Sequence, residues 1–187
     1  HERIAAEFTA KVSEVLAGFR LGRATDEGVT FGALSGADQV ATVQKLVDDA
    51  LTQGATVASG GVLPTGLPAG GSYFPATVLT NVPTTADIAH SEIFGPVVAI
   101  QTFATEDEGI AMANDTPFGL AAYVFAGDTG RALTIAERIE AGMVAINKGT
   151  ISDPAAPFGG VKESGVGREG GMEGIGEYLE PKYISLP

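Results

Sequence analysis

Three short apolar runs do most to limit the architecture: PVVAIQTFA at 96–104, LAAYVFAG at 120–127 and MVAIN at 143–147. Each has strand length and no polar alternation, the pattern of a strand covered on both faces. The segments between them are helical. Thr105 and Glu108 carry capping-box spacing for a helix to about Asn114. Asp128 stands as the N-cap of a second helix, in which Ala132, Ile135, Ala136 and Ile139 share one face. Strand and helix in alternation predict an α/β fold, a parallel twisted sheet with flanking helices and right-handed crossovers.

The upstream part fits the same class. Ile4, Phe8, Val12, Val15 or Leu16, and Phe19 mark one face of an amphipathic helix ending near Gly18, with charged residues opposite. A glycine-rich loop follows. Ser35 and Asp38 are spaced as a capping box for a second helix, with the stripe Val40, Val43, Val47, Leu51 and a stop at Gly54. TVASGG is a short strand entering a turn, residues 60–71 are a Gly/Pro loop, and YFPATVLTNV is a strand-like run bounded by Pro83. After Asn147 the pattern dissolves into a long Gly/Pro-rich segment, a kind that in a compact domain is functional or a linker. The tail KYISL alternates like a strand with no local partner. It is expected to pair with another sheet edge, such as one in another subunit.

Composition excludes several partners. The 187 residues are 44% hydrophobic and 18% charged, enough apolar matter for a core. The formal net charge of −12 argues against nucleic acid and against an anionic membrane surface, both of which favour basic proteins. No run approaches the roughly 18 apolar residues of a membrane span. Cysteine is absent, so no disulfide or thiol nucleophile lies in this stretch. The first residues enter a helix without a signal-peptide core, so His1 reads as a cut point inside a longer chain, and a cytoplasmic location is expected.

Few residues offer chemistry on spacing alone. Gly165, Gly167 and Gly170 match GxGxxG, but the preceding strand and following helix of a dinucleotide fingerprint are missing, so a structural loop is the simpler reading. Glu92 lies among apolar neighbours before Gly95-Pro96. A carboxylate there can accept two hydrogen bonds from vicinal hydroxyls, as a ribose offers, or it is a solvated strand-end residue. His90 with Asp87 and Glu92 lacks the ligand spacing of a metal site, and no metal is expected. Asn114-Asp115-Thr116 is a formal glycosylation sequon without support for secretion. Ser152 sits in a Gly/Pro loop, where a hydroxyl makes a local turn or meets a ligand. Phe158 before Gly159-Gly160 is core or pocket wall.

Several segments in order resemble the C-terminal part of the aldehyde dehydrogenase superfamily. They are SEIFGPVV at 91–98, NDTPFGLAAYVF at 114–125, GMVAIN at 142–147, APFGGVKESGVGREGG at 156–171 and EYLEPKYISL at 177–186. The segment from Gly149 to Gly171 with the YLE-x-KY tail is most similar to the succinate-semialdehyde branch. The resemblance implies a cysteine thiolate that adds to the aldehyde, hydride transfer to NAD or NADP, and a glutamate base for thioester hydrolysis. It places that cysteine, the base and the cofactor domain upstream of this chain, so no catalytic residue is expected here.

By the same resemblance, Glu92 matches the glutamate that holds the nicotinamide-ribose hydroxyls, and Phe94 the aromatic near the nicotinamide. Phe158 matches the aromatic walling the aldehyde tunnel, and Ser152 a serine near the substrate's distal carboxylate. Residues 1–176 are then a catalytic-domain portion and 177–187 an oligomerisation tail. The expected partners are a small aldehyde and further copies of the chain, as homodimer or homotetramer. The chain departs from many relatives at Gly32-Ala33-Leu34-Ser35-Gly36, where they carry Gly-Pro and an acid. It also has Thr42 near a helical lysine that some relatives turn to the cofactor. Taken alone, the 187 residues are expected to be inactive and to bind cofactor weakly. A non-enzymatic oligomerisation or binding module, and a dehydrogenase for another semialdehyde or an aliphatic aldehyde, are the alternatives.

Overall fold

A computed structural model describes residues 1–187. The chain divides into two compact units, His1–Gly109 and Ile110–Pro187. In the first, helices α1 (Glu2–Ala17) and α2 (Ala37–Thr52) accompany strands β1 (Thr56–Gly60), β2 (Thr77–Thr80) and β3 (Val97–Ala99). The sheet order is β1-β2-β3. β1 pairs antiparallel to β2, with an irregularity between Val57 and Ser59, and β2 pairs parallel to β3 in the register Thr77↔Val97. Ile100 N–H donates to the Leu79 carbonyl at 2.9 Å, which carries the ladder one residue past β3.

The core of this unit forms where α2 meets the sheet. Val43, Leu46, Val47 and Ala50 recur at helical spacing and are buried with Phe74, Leu79, Val82, Ala86, Ile88 and Val97. Each Val, Leu, Ile or Phe side chain among them stabilises the fold by roughly 1.5–3 kcal/mol when fully buried. Ala50, not Leu51, takes the last buried position of the stripe, and Leu51 stays exposed. The expected Ser35–Asp38 capping box does not form. Gly36 is the N-cap and makes no side-chain bond, which leaves Asp38 in the first turn, where its charge favours the helix dipole. α1 follows the predicted span, and it lies against β1 and β2 without burying any residue completely. Ile4 and Phe8 line an open cavity of about 370 Å³ with residues 98–101.

Helix α3 (Glu106–Asn114) runs across the division between the units. Its start is as expected: Thr105 Oγ1 accepts from Glu108 N–H at 3.3 Å, while Glu108 Oε2 accepts from Ala104 N–H at 2.8 Å.

The second unit holds β4 (Phe118–Gly119), β5 (Ala121–Val124), α4 (Thr129–Arg138), β6 (Met143–Ile146) and β7 (Val161–Lys162). β5 and β6 pair in parallel, Ala121↔Met143 to Val124↔Ile146, with α4 as the crossover. Asp128 caps α4 by accepting from Arg131 N–H at 2.7 Å, as its position predicts. β4 and β7 form a two-residue antiparallel pair. The α/β class therefore holds, with parallel pairing at β2–β3 and β5–β6.

Two expectations are corrected, and a third, the pairing of the tail with a sheet edge of another subunit, lies outside a single chain. The run at 96–104 is not hydrogen-bonded to that at 120–127: β3 pairs with β2, and β5 with β6. β5 is not buried on both faces, because its residues alternate exposed and half-buried and Tyr123 is open to solvent. The KYISL tail forms no strand. After a 3₁₀ turn at Glu173–Tyr178, residues 179–187 carry no regular structure, and Tyr183, Ile184 and Leu186 are exposed. A strand needs a neighbour for its backbone groups, and this tail meets none within the chain. No helix is long and apolar enough to cross a membrane.

Candidate functional site

In the first unit, the turn carrying Glu92 and Phe94 is built from the sheet edge outward. Pro96 O accepts from Thr77 N–H at 2.9 Å, so the residue before β3 is already tied to β2. Two residues upstream of Gly95, Ile93 packs against the core cluster. Glu92 and Phe94 flank that anchor and are exposed, Phe94 by 69%. No side chain or backbone group of the chain engages the Glu92 carboxylate. An exposed carboxylate with free lone pairs on a fixed turn is suited to accept from two vicinal hydroxyls.

The residue that joins this turn to α2, Gln39, carries no mark in the sequence pattern. Gln39 Nε2 donates to the carbonyls of Ile93 at 3.0 Å and Phe94 at 3.3 Å. Nothing in the spacing marks a contact between residues so far apart in the chain. Just before the turn, a second tie runs from α2. Asp49 accepts from Asp87 N–H at 2.9 Å and from Gln53. These bonds hold the Asp49 carboxyl below its ordinary range, the Gln53 amide contributing most, then the Asp87 N–H, with Lys45 adding a small attraction. His90 closes the same stretch, its Nε2 lying 2.5 Å from the Thr84 carbonyl.

In the second unit, Phe158 is held by a two-way backbone bridge. Its N–H donates to Glu169 O at 2.7 Å, and Glu169 N–H returns to Phe158 O at 2.8 Å. The half-buried ring lines a cavity of about 320 Å³ with Leu120, Ser164, Arg168 and Glu177 among its walls. Arg168 reinforces the loop by donating to Gly160 O at 2.7 Å and Gly167 O at 2.6 Å. Ser152 lies outside this cavity, on an exposed loop that the Asp153 side chain turns by accepting from Ala155 N–H at 2.9 Å. The structure thus places Phe158, and not Ser152, at the cavity.

The remaining motifs are structural. Gly165, Gly167 and Gly170 all take positive φ, and the helix that follows is only the short 3₁₀ turn, so the segment lacks the helix terminus a pyrophosphate needs. Asn114 uses both amide atoms within the unit, donating to Arg138 O at 2.8 Å and accepting from Glu140 N–H at 2.8 Å. Lys162, also unforeseen, joins this cluster by donating to Asn114 O at 2.7 Å and pairing with Glu140 at 2.6 Å.

The chain is similar to known proteins in sequence and in fold. The glutarate-semialdehyde dehydrogenase of Pseudomonas putida is 46% identical over 179 residues, covering 96% of this chain and 36% of that protein. The succinate-semialdehyde dehydrogenase of Paenarthrobacter nicotinovorans is 45% identical, covering 99% of this chain and 40% of that protein. The crystal structure of a Mycobacterium tuberculosis aldehyde dehydrogenase complexed with NAD+ superposes with a TM-score of 0.91 at 35% identity, over 99% of this chain and 38% of that one. The chain thus spans well under half the length of these relatives. The pattern of the family described as the aldehyde dehydrogenase family matches residues 1–184. With that match over nearly every residue, the chain belongs to the aldehyde dehydrogenase family.

Proposed function

We propose that the enzyme to which these residues belong oxidises succinate semialdehyde to succinate with NAD+ or NADP+. The observation that carries this reading is the 45–46% identity to two enzymes named for semialdehydes of dicarboxylic acids. Because one of them is named for glutarate semialdehyde, the five-carbon homologue is the nearest competing substrate. In this reading Glu92 accepts from the ribose hydroxyls of the cofactor, and Phe94 packs beside the nicotinamide. The exposed, unengaged Glu92 carboxylate fits that role. The cofactor supplies the hydride acceptor when bound. Phe158 walls the aldehyde channel, and Ser152 donates to the distal carboxylate of the substrate.

The nucleophilic cysteine, the general base and the dinucleotide-binding fold belong, in this reading, to other parts of the same protein. Residues 1–176 are assigned to the catalytic domain and 177–187 to an oligomerisation tail in a cytoplasmic homodimer or homotetramer. The exposed Tyr183, Ile184 and Leu186 support an assembly role for the tail.

The test is Ser152→Ala in the full-length enzyme. A hydroxyl donor to a charged carboxylate is worth about 1.5–3 kcal/mol, so kcat/KM for succinate semialdehyde should fall about 10-fold or more. The value for butanal, of equal length and uncharged, should stay within about 2-fold. Equal losses on both aldehydes would remove Ser152 from the substrate site.

A further inference from the structure

We propose that Gln39 is a positioning residue for the cofactor-facing turn: its amide clamps the Ile93 and Phe94 carbonyls to α2 and keeps Phe94 in a left-handed backbone conformation. This rests on the reading of Glu92 and Phe94 as cofactor residues.

The starting point is the backbone. Phe94 has φ of 46°. That region brings Cβ against the carbonyl, and a bulky L-residue avoids it. A residue held there needs surroundings that over-determine it, and such residues cluster at ligand sites. Burial of the ring does not supply the restraint, because the ring is mostly exposed.

The restraint comes from α2 at three consecutive positions of the turn. Ile93 packs on the core cluster that α2 contributes to. Gly95 lies so close to α2 that a Cβ there would stand 2.7 Å from Val43 Cγ2. Between these fixed flanks, the Gln39 amide reaches both peptide carbonyls, at 3.0 and 3.3 Å. Gln39 is itself held one residue before Val40, which packs against the same core. The carboxylate of Glu92 and the ring of Phe94 are thus carried on a turn whose strained peptide is fastened to a helix that holds the core.

The experiment uses the full-length enzyme. Gln39→Met keeps the length of the side chain and removes the donor. Gln39→Asn keeps the amide but withdraws it by one methylene, and it serves if the Met variant does not fold. Either variant should raise the Kd of NAD+ or NADP+ about 10-fold, because a turn released from α2 holds its binding conformation only part of the time and must be reordered when the cofactor binds. The aldehyde KM and the cofactor-free thermal midpoint should stay near wild type. In a Glu92→Gln background the same substitution should add less than about 3-fold, because both act through one carboxylate.

The outcomes separate the two claims. If Glu92→Gln itself leaves cofactor affinity unchanged, the cofactor reading of this turn fails. If Glu92→Gln weakens the cofactor while both Gln39 variants bind it normally, only the clamp fails. A lowered thermal midpoint with unchanged cofactor Kd makes Gln39 a purely structural residue, and full multiplication of the two losses rules out action through Glu92.

Discussion

Glu92 owes its usefulness to what its neighbours do not do. The side chain is exposed and the chain leaves its oxygens free, while Ile93 beside it is sunk against the core. Glu92→Gln preserves size and removes the charge-assisted acceptor. The substitution should cost about 1.5–3 kcal/mol of cofactor affinity, a rise in Kd of roughly 10- to 100-fold, read by cofactor titration of the full-length enzyme. Unchanged affinity would leave Glu92 as a solvated surface residue. Its candidacy was legible in the sequence, because a carboxylate stood among apolar residues just before Gly95-Pro96. Gln39 was not, since an amide that reaches carbonyls 54 and 55 residues away leaves no periodic trace. Phe158 was legible as an aromatic on a glycine loop, but the bridge to Glu169 that fixes it needed the folded backbone.

At the scale of elements, helices are more legible in the sequence than strands. α1, α3 and α4 fall where periodicity and caps put them, because those signals are local. The capping box of α2 failed for a local reason as well: the helix starts from an extended Gly36, one residue too late for Ser35 to act. Strand pairing depends on distant partners, and so β3 turned out to join β2, while β5 has a partner only in β6. The tie between α2 and the Asp87–Ala89 turn leads to a pH prediction. Asp49 titrates below its ordinary range in the folded chain, mainly through Gln53 and then the Asp87 N–H. A depressed carboxylate stabilises the folded state fully above its unfolded pKa, about 3.9, and loses that contribution as pH falls through the lower folded value. Asp49→Ala should therefore lower the thermal midpoint at pH 7, and the gap to wild type should close as the pH drops below about 4. A gap that is constant with pH would mean that the charge of Asp49 plays no part.

Over the whole chain, the two units carry different parts of the proposed chemistry. The first holds the Glu92–Phe94 turn on α2, and the second holds the Phe158 cavity behind its glycine loop. Ile4, Phe8, Tyr123, Phe125 and the tail from Tyr183 to Leu186 are left exposed, more apolar surface than scattered single residues would give. In the same way β5, whose sequence pattern predicts burial on both faces, is open on one. The family was legible from five motifs in order, while the substrate depends on one loop serine and on relatives named for two different semialdehydes. The most direct measurement is therefore kcat/KM of the full-length enzyme for succinate semialdehyde, glutarate semialdehyde and butanal under one set of conditions. Succinate semialdehyde should lead, exceeding butanal by about 10-fold or more through recognition of its carboxylate. Equal values for succinate semialdehyde and butanal, or a preference for the uncharged aldehyde, would contradict the proposed substrate.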